Sequence, residues 1–460
     1  MKLQKALIRI GVGFLALVAV ILVVRAFFNY AEGRALAKTL AGLKAKGIPL
    51  TAKELAPPCA DEDNAARLWK AYENVTVIPG RLHLTPGRRP PKVAEVRGLI
   101  SRAWQAYQAG KPFDQTDKAA LKDAILKNEK AFTLLAEMAG KPCFLYRDPA
   151  ESLVESRLPD AVQMIQTTEL LFFSALFSAE DGDVHGAVSK ILTGLRLAPF
   201  MAREGTLMAY LVSSAETRIL SQFLGEICRG RTVDEEDLAR LMAALDPGPW
   251  PDRLVAAWRG ERVLFVEAGG YLLKGSLADL GSVWEGPRWW QELGLWLLRP
   301  LVRKDLRRAL PSYEWLEAQS KVPYYQSRDA LKARDKNARE GPWYAVLSRM
   351  TGPTEAESVY LKEAQIEAIM LADRAGLACR LFKNKNGRYP ESLDELVPGL
   401  LAEVPIDPFT GKPMVYRREG EGFIVYSLGS NQKDDGGRST YMITQLVMDK
   451  DDDWSWREDR

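Results

Sequence analysis

An uncharged apolar run near the N-terminus constrains this chain most strongly. The run extends from Ile10 to Val24, and apolar residues on both sides lengthen it to about residues 6–28. A helix of roughly 20 apolar residues spans a bilayer, and Arg9 and Arg25 can extend their charged ends toward the two headgroup layers. The sequence therefore predicts one transmembrane helix at residues 6–28.

The charges before this run predict its orientation. Lys2, Lys5 and Arg9 precede it, which favours a cytoplasmic N-terminus and an extracytoplasmic location for the rest of the chain. A cleaved signal peptide is the alternative, but no small-x-small cleavage site directly follows the run. Because no later apolar run reaches spanning length, we expect a retained, single-pass anchor.

The composition outside the anchor is that of a folded globular protein. Of the 460 residues, 47% are hydrophobic and 27% are charged, which distinguishes the chain from a disordered one. The formal net charge is only +3. Charge therefore gives no reason to expect nucleic acid as a partner.

The cysteines form no recognisable site. Cys59, Cys143, Cys228 and Cys379 are isolated and make no C-x-x-C motif, so neither a zinc knuckle nor a thioredoxin-type site is predicted. Outside the cytoplasm they could pair with any of three connectivities. We expect instead that all four are small, buried, apolar side chains.

The middle of the chain carries the apolar periodicity of helices. A helix capped by Thr116 is predicted to run to about Met138, and turns such as residues 180–183 separate the apolar stripes that follow. Thr232 and Glu235 have the spacing of a capping box. Short turns make neighbouring helices antiparallel, so we predict a mainly α fold with irregular, tetratricopeptide-like helical hairpins.

One helical segment allows two interpretations. Trp289, Trp290 and Trp296 are followed by leucines that alternate with basic residues between positions 299 and 308. A helix that lies on an anionic lipid surface has this composition. A helix that packs on the core and exposes a basic face has it too, and we favour this second interpretation.

The C-terminal part begins with the longest predicted helix outside the anchor. Thr354 and Glu357 form a capping box at its start, and residues 384–387 offer Asn and Gly for its end. A short helix follows, in which Ser392 and Glu395 form another capping box.

Two strands are predicted after this short helix. Residues 407–411 mark a turn, and residues 414–417 and 423–428 are predicted strands joined by a four-residue loop at 419–422. The C-terminal part is therefore predicted to be a small α+β unit with a β-hairpin.

Three short sequence segments in this part suggest a family. Asn386-Gly-Arg-Tyr-Pro390, Ile406-Asp-Pro-Phe-Thr-Gly-Lys-Pro413 and Tyr426-Ser-Leu-Gly429 follow one another, and this order resembles the globular head of the major pseudopilin of type II secretion systems. The resemblance implies a long helix packed on a small sheet. The chain lacks that family's Gly-Phe-Thr-Leu-x-Glu prepilin-peptidase site. Its layout resembles membrane-anchored bacterial proteins of uncharacterised activity, which implies the bacterial inner membrane and a periplasmic body.

The resemblance also implies a calcium site in the loop after Gly429. Asp434 and Asp435 are its candidate ligands, and Asp449 and residues 451–453 could contribute, because carboxylate oxygens suit this hard cation. The alternative is a solvated Asp-Gly turn and a charged tail, which we favour.

No motif identifies a reaction. G-x-S-x-G, Walker A and G-x-G-x-x-G are absent, and His83 and His185 are too far apart for a local pair. His185 is a candidate base without an identifiable partner. Carboxylate pairs such as Asp234 with Glu235 are more typical of helix starts than of general acid–base catalysis.

These features predict four regions. Residues 1–29 form the cytoplasmic N-terminus and anchor, 30–250 an extracytoplasmic helical domain, 251–353 a second helical segment, and 354–460 the long helix with its pseudopilin-like head. The predicted function is interaction or scaffolding at the cell envelope, with an envelope protein as partner, no identified small molecule and calcium as the one candidate cofactor. The alternatives are an envelope hydrolase that uses a carboxylate pair or His185, and an accessory component of a secretion or pilus-like system.

Overall fold

A computed structural model describes residues 2–55, 59–78, 91–156, 159–246, 250–274, 288–342, 344–351, 355–437 and 454–458. Helices account for 69% and strands for 5% of this part, so the fold is mainly α, as predicted. The helices are α1 (Lys2–Ala45), α2 (Ala52–Leu55), α3 (Ala66–Val75), α4 (Pro91–Gln108), α5 (Gln115–Lys127), α6 (Glu129–Ala139), α7 (Ala161–Glu180), α8 (Val184–Ala202), α9 (Leu207–Cys228), α10 (Glu235–Ala244), α11 (Trp250–Lys274), α12 (Arg288–Gln319), α13 (Tyr324–Arg339), α14 (Val346–Thr351) and α15 (Ala356–Asn386). The strands are β1 (Val415–Glu419), β2 (Gly422–Ser427) and β3 (Trp454–Glu458).

Helix α1 contains the predicted anchor. Among the described residues it is the one helix that is long and apolar enough to cross a membrane. Its apolar side chains from Ile10 to Phe28 are largely exposed, and none of the most apolar stretch is buried against the rest of the protein. The helix ends before Gly47, which has a positive φ of 72° and precedes Pro49. The Gly47-Ile-Pro49 segment therefore ends the helix.

Helices α7, α8 and α9 form the centre of the body. Helix α8 packs against both α7 and α9, and short turns connect all three. Their apolar side chains join those of α4, α5, α10, α15 and the sheet in one cluster, here called the first core. Helix α7 is buried along most of its length, which explains why its apolar residues are not confined to one face.

Aspartates cap two helices for which the sequence suggested threonines. Asp114 accepts hydrogen bonds from the backbone N–H groups of Thr116 (2.9 Å) and Asp117 (3.2 Å), so α5 begins before Thr116. Asp234, not Thr232, accepts from the backbone N–H of the third helical residue of α10. A carboxylate adds its charge to the capping bond at the positive end of the helix dipole. The predicted helix to Met138 is also divided, because α5 ends at Lys127 and α6 begins at Glu129.

A second core lies on the anchor side. It combines buried residues from α1, α9, α11, α12, α13, α14 and α15 with Phe409. Leu36 and Leu43 of α1 belong to it, and so do Leu306 and Leu310 of α12. The later half of α12 therefore packs on the core, as the favoured interpretation of this segment states.

Helix α15 contributes to both cores. Val359 and Tyr360 near its start lie in the second core, whereas Ile366 and Leu377 lie in the first. Its first backbone N–H groups are held by Asp335, which accepts from Ala356 (3.1 Å) and Glu357 (2.8 Å). The predicted cap Thr354 lies outside the described residues. The helix ends at Gly387 with φ 74°, which confirms the predicted left-handed end.

The sheet has the order β1-β2-β3 and is antiparallel throughout. The hairpin pairs Glu419 with Gly422, so the loop contains two residues and not the predicted four. The sequence also missed β3 in the charged tail, where Trp456 is buried against Gly376 of α15. The apolar segment 441–448 lies outside the described residues.

Asp407 ties the turn after the short helix to the sheet. Its carboxylate accepts from the backbone N–H groups of Phe409 (2.9 Å) and Leu428 (3.1 Å). It also accepts from the hydroxyls of Ser427 (2.8 Å) and Thr410 (3.1 Å). The side chain is buried, so these four bonds compensate for its lost hydration. These local hydrogen bonds therefore account for the presence of Asp in the Asp407-Pro-Phe-Thr410 segment.

The short helix before this turn differs from its predicted form. It is a single 3₁₀ turn, Leu393–Leu396, and Ser392 makes no side-chain capping bond. Glu395 does reach back to the chain before the turn, where its carboxylate accepts from the N–H of Glu391 (2.6 Å). Only the Glu half of the predicted capping box is therefore present.

Two of the four cysteines form a disulfide. Cys59 and Cys143, 84 positions apart, are bonded with a Cα–Cα distance of 5.9 Å. The N–H of Ala65 donates to the carbonyl of Cys143 (3.0 Å), so backbone contacts hold the same two segments together. The expectation that all four cysteines are unpaired is wrong for this pair, because the fold brings the segments together. Cys228 and Cys379 are free and buried, as expected.

Candidate functional site

The two aspartates predicted to bind calcium are engaged within their own loop. Asp434 Oδ1 accepts from the Tyr426 hydroxyl (2.8 Å) and from the N–H of Gly436 (2.9 Å). These bonds hold the pKa of Asp434 below its ordinary value. Asp435 accepts from the side-chain amide of Asn431 (2.8 Å). Calcium takes six to eight oxygen ligands, and the other named ligands, Asp449 and residues 451–453, lie outside the described residues. The calcium site stays a prediction.

His185 has a partner that the sequence did not reveal. Its Nδ1 lies 2.8 Å from Oδ2 of Asp237, 52 positions further along the chain. Asp237 is buried and also accepts from Arg240 (2.8 Å), whereas the His185 side chain is 66% exposed. The pair joins the start of α8 to the start of α10.

This His–Asp pair is also the centre of a group with metal-ligand chemistry. Within the described ranges, ligand atoms of His185, Asp234 and Asp237 lie within 4.8 Å of one another. However, Asp234 caps α10, and Arg240 already pairs with Asp237. Two helix N-termini add positive potential at the same place. The group is therefore better suited to joining two helices than to holding a cation.

The interior of the body contains carboxylates that the sequence analysis did not single out. Glu169 of α7 and Glu216 of α9 are both buried, and burial raises the pKa of each to about 8. Glu216 accepts one hydrogen bond, from the Thr168 hydroxyl (3.2 Å), which partly opposes the effect of burial. Its other oxygen is buried and has no hydrogen-bond partner among the described residues. Near neutral pH both side chains are therefore largely protonated.

Glu216 and Thr168 line a small cavity with a mostly apolar wall. Its volume is about 30 Å³, and Trp69, Met164 and Phe200 form part of its lining. A cavity of this size with polar groups on one side holds one or two water molecules. Such a water would supply the hydrogen bond that the second oxygen of Glu216 lacks.

A second carboxylate group lies on α15. Glu363 and Glu367 are one helical turn apart, and both carboxylate oxygens of Glu363 are buried without a hydrogen-bond partner in the described structure. Burial, followed by repulsion from Glu367, raises the pKa of Glu363 well above its ordinary value. Burial and the charge of Asp407 raise the pKa of Glu367 to about 7. These two groups are the structure's best candidate for a proton-exchanging carboxylate pair.

A larger cavity lies where the helices meet the sheet. It has a volume of about 340 Å³ and lies between the α9–α10 turn, the end of α15 and the β1–β2 hairpin. Arg380 crosses it, donating to Glu458 (2.6 Å) and to the carbonyl of Arg231 (2.6 Å). The second carboxylate oxygen of Glu458 is buried and has no partner in the described part of the chain. Lys383 lies with its Nζ 4.3 Å from the Tyr389 ring centre. Both signs of charge are present, so the cavity suits a small polar group.

These positions do not form one catalytic arrangement. His185 lines neither of the two cavities described above. Helix α15 carries many charged residues in its sequence, but the structure buries it on nearly all sides. Burial by other segments distinguishes Glu363 and Glu367 from solvated helix acids, and no sequence signal identified them.

Comparisons with known protein families, curated proteins and solved structures found no match to this chain.

Proposed function

We propose that this chain is a single-pass protein of the bacterial inner membrane that acts as an interaction or scaffold protein of the cell envelope. Its N-terminus would lie in the cytoplasm and its helical body in the periplasm. The observation that carries the proposal is the continuity of α1, which leaves its apolar stretch without a break and enters the second core at Leu36 and Leu43. The anchor and the body therefore share one rigid helix.

The disulfide supports the extracytoplasmic part of this proposal. Disulfides such as Cys59–Cys143 persist in oxidising compartments and are rare in the cytosol. The bond lies in the body, on the C-terminal side of the anchor. If the body lies outside the cytoplasm, the two thiols are oxidised in the cell.

The body and head give the proposal its finer form. The antiparallel hairpins of α7, α8 and α9 support a tetratricopeptide-like layer, an architecture that presents extended surfaces to partners. Helix α15 packs on β2 and β3, which is the arrangement that resemblance to a pseudopilin head implies. This second feature is also the reason to keep an accessory role in a secretion or pilus-like system as an alternative.

Reporter fusions test the topology. A phosphatase that folds only under oxidising conditions, fused after Arg460, should be active, and the same enzyme fused before Ala6 should be inactive. Thiol labelling of the intact protein from cells gives a second measure, because Cys59 and Cys143 should resist labelling until a reductant is added. An inactive C-terminal fusion together with reduced Cys59 and Cys143 would overturn the proposed location.

Partner capture tests the scaffold role. The full chain is extracted in mild detergent beside a version in which residues 2–24 are replaced by an unrelated transmembrane helix. An envelope protein recovered in fixed proportion with both versions supports binding by the body. Recovery of the chain alone under cross-linking conditions contradicts it.

The pair of Glu363 and Glu367 favours the hydrolase alternative. Carboxylates with raised pKa values can donate and accept protons near neutral pH. The intact protein would be assayed on ester, amide and glycoside substrates with Glu363→Gln, Glu367→Gln and His185→Gln variants. Loss of turnover in a glutamate variant that still melts at the wild-type temperature would favour the hydrolase alternative. Turnover that is unchanged in all three variants would contradict it.

A further inference from the structure

Helix α12 runs beside α1 in the same direction. The Arg25 guanidinium stacks on Trp296 at 3.3 Å from the ring centre and donates to the Trp296 carbonyl. One turn further along α1, Asn29 accepts from Arg303, and Arg307 then pairs with Glu32 (2.9 Å). Residue numbers therefore rise together in the two helices. The first turns of α12 must lie beside the part of α1 where the apolar stretch ends.

The same end of α12 exposes leucines. Leu293, Leu297 and Leu298 are 41%, 45% and 47% exposed. Leu293 and Leu297, four positions apart, lie on one side of the helix, and Leu298 lies about 100° around the axis from Leu297, so the three side chains form one broad apolar stripe. Further along α12, Leu306 and Leu310 are buried in the second core. Only the end beside the anchor leaves its leucines uncovered among the described residues of this helix.

Arginines converge next to this stripe. Arg299 and Arg303 lie close enough to Arg25 for their charges to repel its charge. The Nε of Arg299 is buried and has no hydrogen-bond partner among the described residues. Three guanidinium groups at the end of an apolar span create a positive potential that attracts anions. Phosphate accepts from guanidinium groups in paired hydrogen bonds.

We propose that the start of α12, from residue 292 to residue 303, dips into the membrane crossed by α1, with its first turn nearest the acyl chains and residue 303 at the level of the headgroups. Leu293, Leu297 and Leu298 contact acyl chains, and Arg25 and Arg299 bind phospholipid phosphates. This proposal rests on the proposed membrane span. Apolar residues toward the acyl chains, arginines at the boundary and a tryptophan at headgroup level are the features of a helix end anchored at a membrane interface.

A lipid surface suits this stripe better than a second copy of the chain does. An isologous contact brings the same patch of each copy to the interface, so two clusters of arginines would face each other. Such like-charge contacts oppose association. The membrane supplies both the apolar and the anionic component at one depth. Contact of α12 with the membrane, in addition to the span of α1, would fix the rotation of the body about the anchor.

Depth-dependent quenching tests the proposal on the full chain. A cysteine is introduced by Leu297→Cys, labelled with an environment-sensitive fluorophore and reconstituted in vesicles of phosphatidylcholine and phosphatidylglycerol. The native cysteines are disulfide-bonded or buried, and protein without the added cysteine measures their background labelling. We expect emission from position 297 to be lost to a nitroxide on the lipid acyl chain and to resist a water-soluble quencher.

Two control positions separate this idea from the proposed function. Leu126→Cys, at a 64% exposed position on α5, should respond only to the soluble quencher. Leu17→Cys, within the apolar stretch, should respond only to the lipid quencher. A lipid-protected position 17 with a water-exposed position 297 would overturn the interfacial contact alone. Water exposure of both positions would overturn the membrane span as well.

The arginine contact has its own test. In vesicles with phosphatidylglycerol, the label at position 297 should emit at shorter wavelength than in phosphatidylcholine alone. Arg299→Gln should abolish this difference, and Arg339→Gln, an exposed arginine of α13, should preserve it. A difference that survives Arg299→Gln, or no difference between the two vesicles, would overturn phosphate binding by Arg299.

Discussion

The contact between α1 and α12 and the interior around α9 and α15 use the same kinds of charged residues in opposite ways. Beside the anchor, Glu32 pairs with Arg307 (2.9 Å) and Glu314 with Lys46 (2.7 Å). In the interior, Glu216 has only one hydroxyl as a partner, and the carboxylate of Glu363 has none in the described structure. One region pairs its carboxylates with basic side chains, and the other buries them without a cation, which raises their pKa values.

This difference determines how each region responds to pH and salt. A paired, partly exposed carboxylate stays charged over the physiological range, and its attraction is screened by salt. A buried carboxylate without a cation takes up a proton on folding, so its contribution depends on pH. The stalk, defined as residues 25–45 of α1 with the part of α12 that contacts them, should therefore be sensitive to salt. The interior should be sensitive to pH.

The largest effect is expected from Glu216→Gln. The pKa of Glu216 is 4.5 in the unfolded chain and about 8 in the folded one, so the folded protein binds the proton more tightly. Its stabilising contribution is complete below pH 4.5 and is lost as the pH rises to 8. By linkage the full loss is on the order of 4–5 kcal/mol. The glutamine variant should therefore melt at higher temperature than the wild type at pH 8.5 and equally at pH 4.

Melting of the full chain in detergent, followed by intrinsic fluorescence across this pH range, checks the expectation. Glu137→Gln, on the exposed side of α6, is the matched control and should leave the pH profile unchanged. A wild-type profile that is parallel to that of Glu216→Gln would show that Glu216 folds as an anion, and the contrast between the regions would fail.

A smaller effect, a loss of folding stability, is expected from Ser221→Ala. The Ser221 hydroxyl donates to the buried carboxyl group of Asp373, whose pKa is raised well above its ordinary value by burial. Removing the hydroxyl leaves that group unsatisfied, at a cost of about 1–3 kcal/mol. Denaturant unfolding measures it, with Ser358→Ala as control, because that hydroxyl bonds a carbonyl at the exposed start of α15. Equal stability of both variants would argue that water replaces the Ser221 bond.

The stalk should show a smaller effect that depends on salt. A double-mutant cycle with Glu32→Gln and Arg307→Gln is expected to give a coupling energy of about 0.5–1 kcal/mol, because both side chains are partly exposed. The coupling should fall as salt is raised. A coupling energy larger than the cost of losing the Ser221 hydrogen bond, or one that does not change with salt, would contradict the contrast. It would show that the stalk is as desolvated as the interior.

Calcium should have the smallest effect. Asp434 and Asp435 already hold hydrogen bonds within their loop, so we expect the melting temperature to be the same in calcium and in chelator. An increase with calcium that Asp434→Asn abolishes would instead show that residues outside the described part complete a site.

The parts of the fold that were predictable are those with a local cause. The apolar run of α1, its break before Gly47 and the end of α15 at Gly387 follow from short sequence signals. The disulfide, the His185–Asp237 pair and β3 were missed because each needs a contact between distant segments. Trp454 to Glu458 alternates as a strand does, but a charged tail becomes a strand only when a partner edge such as β2 is available.

The candidate sites follow the same division. Asp434 and Asp435 were identified because they follow the Tyr426-Ser-Leu-Gly429 segment that carries the resemblance. The structure adds only their local hydrogen bonds. In the sequence alone, Glu363 and Glu367 cannot be distinguished from ordinary solvated acids of a helix. Their raised pKa values come from helices and a turn that other parts of the chain supply.

The sequence by itself determined that this chain carries an apolar helix, helical hairpins and a small C-terminal hairpin, because periodicity, glycines and prolines act over a few residues. Only the tertiary structure decided which charges are paired and which are buried alone. Desolvation and Coulomb interactions depend on distances between segments that are far apart in the chain. The protonation of Glu216 and the position of α12 beside the anchor are therefore properties of the packed molecule.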